Sequence, residues 1–259
     1  MIRMKNVFVL GILLGGVNQI HADSMEDELF KSIVKSDVPA IKNIIADGVN
    51  VNADNGKGHT ALSFALVVKN PEVLTELANA GAKMDVEILA EKAGCEVCHS
   101  SASGLGVSDA SISLPHLAAQ NEKYLVKQML DFHSGKRKVY LMDTPSKVLI
   151  KPIAIELAKY YSSLPRYENS SDAEEPVLSL GRNIYQTKCQ DCHGTDGIST
   201  INEVTPTLSG MDSTYTSVQL TNYQKGVRTN DASEVMRSAV TDLSREEIKA
   251  VSEYVQNLK

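Results

Sequence analysis

Apolar and polar positions recur along most of the chain with the period of an α-helix. Residues of one helix face return at steps of three and four, first at Tyr124, Leu125, Gln128, Met129 and Phe132 and later at Tyr215, Val218, Gln219 and Tyr223. Each segment is followed by another predicted helix, one containing Ile153 and one beginning at Ser244, where Glu247 completes a capping box. Together with the absence of Trp and only 5% aromatic residues, this predicts an all-α fold with an aliphatic interior.

The two halves of this pattern are copies of one another. PHLAAQNEKYLVKQMLDFHSGKR, from Pro115, aligns with PTLSGMDSTYTSVQLTNYQKGVR, from Pro206, so that two tyrosines and two glutamines coincide. A fixed offset between similar segments indicates a duplicated domain. We expect one domain at residues 86–165 and a second at 177–259, joined by a polar, acidic linker at 166–176.

All four cysteines lie in two copies of the pattern Cys-x-x-Cys-His, CEVCH and CQDCH, which are Cys95, Cys98 and His99 in one half and Cys189, Cys192 and His193 in the other. This pattern attaches c-type haem: the two thiols add across the porphyrin vinyl groups and the adjacent imidazole reaches the iron. Disulfides and a zinc site are the alternatives. Because two copies use every cysteine, we predict two covalently bound haem c groups.

A methionine stands at the same position in each half. Met142 follows His99 by 43 residues, and Met236 follows His193 by 43. Thioether sulfur is a known axial ligand of haem iron, although a single Met is more often a packing residue. The matched spacing favours Met142 and Met236 as the sixth ligands. Since His116 and His133 have no matching histidine in the second half, we expect them to be surface residues.

The first residues have the pattern of an export signal. A basic start, an apolar run at residues 7–17 and Ala22 before Asp23 predict a signal peptide at 1–22 and a periplasmic protein, because eleven apolar residues are too few to span a membrane. Loss of Arg3 and Lys5 would change the formal net charge from −6 to about −8. Such a balance does not favour nucleic acid as a partner.

Residues 86–259 resemble the dihaem cytochrome c4 family, which has two class I cytochrome c domains in tandem. The resemblance rests on CEVCH and CQDCH, on YLVKQMLDFHSGKR and YTSVQLTNYQKGVR, and on EVMRSAV before a final helix. It implies an electron carrier rather than an enzyme, with a terminal oxidase or a quinol-oxidising complex as partner. The second domain has Gly181 and Tyr185 where this fold crosses its first and last helices, whereas the first has Glu87 and Glu91.

Residues 23–85 show a different repeat. Gly48 and Gly81 are 33 residues apart, and GHTALSFA, from Gly58, resembles the start of an ankyrin repeat. Helix starts are predicted at Thr60 and at Asn70-Pro71. We expect about two ankyrin-like helix-turn-helix repeats that could dock a protein, with a plain helical hairpin as the alternative. Two repeats are too few to bury a continuous core, so we expect the first helix of the following domain to cap them.

The two alternatives to a soluble carrier are a dihaem peroxidase and a haem subunit of a larger redox complex. A peroxidase needs one iron with an open or displaceable ligand, whereas a carrier with two filled coordination spheres exchanges electrons alone.

Overall fold

The computed structural model describes residues 24–55, 58–99, 114–166, 168 and 170–259, so the predicted signal peptide lies outside the described residues. The helices are α1 (Met25–Lys35), α2 (Val38–Ala46), α3 (Ala61–Val68), α4 (Pro71–Asn79), α5 (Val86–Lys92), α6 (Glu96–His99), α7 (Glu122–His133), α8 (Lys151–Ser163), α9 (Glu175–Lys188), α10 (Gln190–His193), α11 (Ser213–Gln224), α12 (Val235–Val240) and α13 (Arg245–Asn257). Short 3₁₀ helices lie at Tyr140–Met142, Pro145–Val148 and Ala232–Glu234.

The prediction of an all-α fold is confirmed. Across the described ranges β-type pairing is limited to one isolated bridge between Asp54 and Thr60. None of the helices in these ranges is long and apolar enough to cross a membrane. Helix α9 begins at Glu175, within the segment predicted to be a linker.

The N-terminal region consists of two helix pairs, α1–α2 and α3–α4. Thr60 caps α3 and Asn70 caps α4, as predicted, and Gly48 and Gly81 take positive φ angles of 90° and 84° after the second helix of each pair. Asn52 joins the two turns: its amide donates to the Gly81 carbonyl at 3.1 Å and its oxygen accepts from the Lys83 backbone at 2.8 Å. Assignment of these pairs as ankyrin repeats stays a prediction.

Helix α5 connects these pairs to the first of the two later domains. It contacts α3 on one side and α8 on the other, and its Leu89 and Ala90 are buried. The buried side chains of α1–α4 and of the first domain consequently form one continuous apolar cluster. The N-terminal helices are therefore built into the core of the first domain, with α5 at the capping position expected from the sequence.

In the second domain the first and last helices cross as predicted. A Cβ added at Gly181 of α9 would lie 2.1 Å from the Ala250 carbonyl oxygen of α13. Tyr185 packs beside this crossing, with its ring centroid 5.5 Å from that of Tyr254. Ser244 and Glu247 form the predicted capping box at the start of α13. Only glycine permits the close approach of the α9 backbone to that of α13 at Gly181.

The first domain builds the equivalent contact with other residues. Glu87 and Glu91 of α5 are exposed, so neither occupies the crossing. Instead Tyr161 of α8 is fully buried and its hydroxyl donates to the Glu96 carboxylate at 2.7 Å. Because Glu96 lies inside the CEVCH sequence, this bond fixes the cysteine-bearing turn to the last helix of the domain.

Two arginines related by the internal repeat join the two domains. Arg137 donates to Gln128 of its own domain at 2.8 Å and to Gln219 of the other at 2.9 Å. Arg228 does the reverse, reaching Gln219 at 2.8 Å and Gln128 at 3.0 Å. Both guanidinium groups are buried. The interface therefore has approximate two-fold symmetry at the level of single hydrogen bonds.

The same symmetry extends to tyrosines and stacked rings. Arg137 donates to the Tyr215 hydroxyl at 3.0 Å, and Arg228 donates to that of Tyr124 at 3.2 Å. Each guanidinium also lies over a ring of its own domain, that of Phe132 at 4.6 Å or of Tyr223 at 4.5 Å. A stacked, hydrogen-bonded guanidinium is held in one plane, so these contacts fix the relative orientation of the domains.

Three further polar contacts extend this interface. Gln120 and Thr207 exchange two hydrogen bonds, of 2.9 and 2.8 Å. The backbone N–H of Tyr124 donates to the Glu203 carbonyl at 3.1 Å. Arg166, at the start of the linker, reaches the Ala119 carbonyl at 3.1 Å and the Ser209 carbonyl at 3.3 Å. The linker is thus tied to both domains.

We predict that Gly181→Ala lowers the free energy of unfolding of the second domain by about 1–3 kcal/mol, because the new methyl group must displace the Ala250 carbonyl. Denaturant unfolding of the haem-loaded protein measures this. Ser179→Ala, at an exposed position of the same helix, is the control and should leave stability almost unchanged. Equal stability of the two variants would contradict the tight crossing.

Removal of one hydroxyl tests the contact that fixes the CEVCH turn. Tyr161→Phe leaves the Glu96 carboxylate without its donor, so we expect a loss of about 1–3 kcal/mol of stability in thermal or denaturant unfolding. Tyr140→Phe is the matched control, since Tyr140 is 88% exposed and its hydroxyl faces water. A loss of the same size in both variants would argue against the bond.

Candidate functional site: two Cys-x-x-Cys-His turns

Each Cys-x-x-Cys-His sequence folds into one short helical turn. In the first, the N–H groups of Cys98 and His99 donate to the Cys95 carbonyl at 3.1 and 2.9 Å. In the second, the corresponding bonds to the Cys189 carbonyl measure 3.1 and 3.0 Å. Residues at positions i, i+3 and i+4 share one face of a helix, so both thiols and the imidazole lie on the same side of each turn. None of the four cysteines forms a disulfide bond.

Both histidines are held at the same ring nitrogen. Nδ1 of His99 lies 3.0 Å from the Pro115 carbonyl oxygen, and Nδ1 of His193 lies 2.9 Å from that of Pro206. A carbonyl accepts, so Nδ1 carries the proton and Nε2 keeps its lone pair for a metal. Burial lowers the pKa of each histidine, against a smaller opposing effect of the proline carbonyl. The neutral, ligating form is therefore favoured.

The first cysteine of each pair is shielded from water. Burial raises the pKa of Cys95 to about 11, helped by the negative charge of Glu96, and burial raises the pKa of Cys189 to about 11 as well. At neutral pH both groups are protonated thiols rather than exposed thiolates. Such an environment protects the thiols from adventitious oxidation before they are used.

The two predicted methionine ligands occupy equivalent apolar surroundings. Met142 ends a 3₁₀ helix and packs against the same cluster as Cys95, whereas Met236 lies in α12 and packs against the same cluster as Cys189. Both are partly buried. The structure thus associates each methionine with the cysteine motif of its own domain. Ligation of an iron by either one stays a prediction.

The two interdomain arginines provide a test of whether anionic groups fit here. Within the described ranges neither Arg137 nor Arg228 has a carboxylate as a direct partner, although both are buried. Burial raises the pKa of Tyr124, but the positive charges of Arg228 and Arg137 outweigh this and lower it overall. A buried cation needs a counter-charge. A haem carboxylate reaching this interface would supply such a charge, so the two arginines are compatible with the cofactor.

Sequence reasoning missed three functional residues. Arg137 and Arg228 carried no local signal of burial, because their partners come from the other domain. Asp231, which binds the backbone N–H of Met236 at 3.0 Å, lies between Arg228 and Met236, a stretch three residues longer than the one between Arg137 and Met142. His116 and His133, expected to be surface residues, are both half-buried, and Nδ1 of His133 lies 3.0 Å from the Ser146 carbonyl oxygen.

Comparison with known proteins identifies the family. The cytochrome c family model matches residues 178–259. Cytochrome c4 of Pseudomonas aeruginosa is 33% identical over 176 residues, which cover 65% of this chain and 86% of the relative. The thiosulfate dehydrogenase electron acceptor of Stutzerimonas stutzeri is 30% identical over 175 residues, covering 63% of this chain and 78% of the relative.

A solved structure agrees with these sequence matches. The crystal structure of reduced recombinant cytochrome c4 from Pseudomonas stutzeri superimposes with a TM-score of 0.58 at 29% identity, over 68% of this chain and 100% of that one. The tandem helical domains, the two Cys-x-x-Cys-His turns and these similarities agree. The chain therefore belongs to the cytochrome c4 family, and it is a dihaem c-type cytochrome of electron transfer.

Proposed function

We propose that the protein is a periplasmic carrier of single electrons in which each haem has one histidine and one methionine ligand. The residues that hold the haems are Cys95, Cys98, His99 and Met142 for the first and Cys189, Cys192, His193 and Met236 for the second. One observation carries the proposal. In both halves an imidazole anchored at Nδ1 accompanies a cysteine and a methionine that pack on one apolar cluster.

When bound, haem c supplies an iron that accepts or releases one electron. The residues of the chain do the rest. The proline carbonyls orient Nε2 of His99 and His193, and the thioether sulfurs of Met142 and Met236 favour the ferrous state and so raise the potential. With one histidine and one methionine bound to each iron, no site would be left for a substrate, and no acid, base or nucleophile would be needed.

Redox proteins are the partners. The relative described as a thiosulfate dehydrogenase electron acceptor supports a dehydrogenase as donor, and a terminal oxidase or a quinol-oxidising complex remains the expected partner on the respiratory side. The helix pairs α1–α4 offer a second surface on which such a protein could dock. Membership of a larger complex is thus the second candidate function.

The surface next to Met142 is the one best suited to electron exchange. Val139, Tyr140 and Leu141 are exposed apolar residues immediately before Met142. Exposed lysines flank this segment on both sides, at Lys136, Lys138, Lys147 and Lys151. Within the described ranges none of the four forms an ion pair. Beside Met236, by contrast, Arg237 is paired with both Asp231 and Glu234. The unpaired positive charge favours an acidic partner.

Absorption spectroscopy of the oxidised, haem-loaded protein tests the ligation. We expect two haems per chain, a charge-transfer absorption band between methionine sulfur and iron at about 695 nm, and no uptake of carbon monoxide by the reduced protein. Met142→Ala and Met236→Ala should each remove roughly half of the band while both haems stay attached. One high-spin haem in the unaltered protein, or rapid carbon monoxide binding, would favour a peroxidase instead.

Charge reversal tests the surface beside Met142. Lys138→Glu with Lys147→Glu should slow oxidation of the reduced protein by hexacyanoferrate(III) several-fold at low ionic strength, and the difference should vanish at high salt. Stopped-flow kinetics measure it. Lys249→Glu with Lys259→Glu, at two exposed positions near the C-terminus, is a control of the same charge change and should have a smaller effect. Equal slowing by the control would assign the effect to net charge alone.

A further inference from the structure

The two predicted methionine ligands are held in place by different parts of the chain. Beside Met236, one oxygen of Asp231 accepts from the backbone N–H groups of Met236 and Arg237, at 3.0 and 3.1 Å. The other oxygen pairs with Nε of Arg237 at 3.0 Å, and the Asp231 side chain is 2% exposed. A buried, ion-paired carboxylate of the same domain therefore fixes the start of α12.

No carboxylate does this for Met142. Its N–H donates to the Val139 carbonyl at 2.7 Å, and the next N–H, of Asp143, donates to the Tyr140 carbonyl at 3.2 Å. As far as the structure describes the first domain, no side chain binds the backbone N–H groups of residues 139–143. The segment that carries Met142 is thus a bare 3₁₀ turn.

The chain that follows Met142 is anchored by the N-terminal helices together with α7, whose His133 Nδ1 lies 3.0 Å from the Ser146 carbonyl oxygen. The 3₁₀ helix Pro145–Val148 contacts α4. Val148, Leu149 and Ile150 are buried and belong to the same apolar cluster as α1–α4. A cleft of about 210 Å³ between the two regions is lined by Pro71 and Thr75 of α4 together with Ile150 and His133 of the first domain.

This anchor has no counterpart in the second domain. Leu243, which matches Leu149 in the repeat, is buried in the separate cluster of the second domain. Leu74 of α4 is fully buried in the shared N-terminal cluster. The residues that immobilise the end of the Met142 segment are therefore supplied partly by helices that lie outside both cytochrome domains.

We propose that α1–α4 position Met142 for ligation, in the role that Asp231 has for Met236, with Leu74 and Ile150 as positioning residues. The inference rests on the proposed ligation of the first haem by Met142. Loss of apolar contact at α4 would free residues 145–150, and the Met142 thioether, three residues before that segment, would then be held less firmly for ligation. The second haem does not depend on this contact.

The test uses full-length, haem-loaded variants below the temperature of their first unfolding transition. In Leu74→Ala the absorption band at about 695 nm should have roughly half of its intensity, and one haem should gain carbon monoxide binding. The lost half should be the one that Met142→Ala removes. Leu74→Met, which nearly conserves volume, should restore it. Asp231→Ala should remove the other half.

A milder variant covers the case in which Leu74→Ala does not fold. Ile150→Val removes one methyl group on the first-domain side of the cleft and should shift the midpoint potential of the first haem while the second is unchanged. Full bands at both haems in a folded but less stable Leu74→Ala protein would overturn the inference and leave the ligation intact. Absence of the Met142 contribution from the unaltered protein would overturn both.

Discussion

One hydrogen bond in each domain sets what the rest of the fold has to provide. Nδ1 of the attachment histidine meets a proline carbonyl, and this leaves a single nitrogen free to bind iron. The bond spans 16 residues in the first domain and 13 in the second, with nearly equal distances of 3.0 and 2.9 Å. The number of intervening residues differs while the two distances are nearly equal, so the position of the carbonyl is kept in both domains.

Around this constraint the two domains use different means of support. The second crosses two helices at Gly181 and clamps its methionine segment with Asp231, so its contacts are internal. The first has a short opening helix and shares its apolar core with α1–α4. The two Cys-x-x-Cys-His motifs are equivalent in sequence, yet only the domain that carries the first motif shares an apolar core with the N-terminal helices. A difference in environment between equal ligand sets is a general means of separating two redox potentials.

Patterns that depend on neighbouring residues could be predicted from the sequence, and contacts between distant segments could not. The cysteine turns, the helix starts at Thr60 and Asn70, and the close approach at Gly181 follow from local spacing and from the repeat. The burial of Arg137 and Arg228 depends on how the domains assemble, and arginine is usually exposed. The sequence predicted that the first helix of the following domain caps α1–α4. It did not predict that α1–α4 share one apolar core with that whole domain. Ligation by Met142 and Met236 stays a prediction, because it depends on where the iron lies relative to the two sulfur atoms.

The exchanged arginine contacts have the form of an isologous dimer interface: each residue on one side has its repeat equivalent on the other. Covalent connection by the linker keeps the two faces at a high effective concentration. An interface between free subunits must offset the full loss of translational and rotational freedom, but this one need not. It can therefore consist of polar side chains joined by hydrogen bonds, without a large apolar contact area.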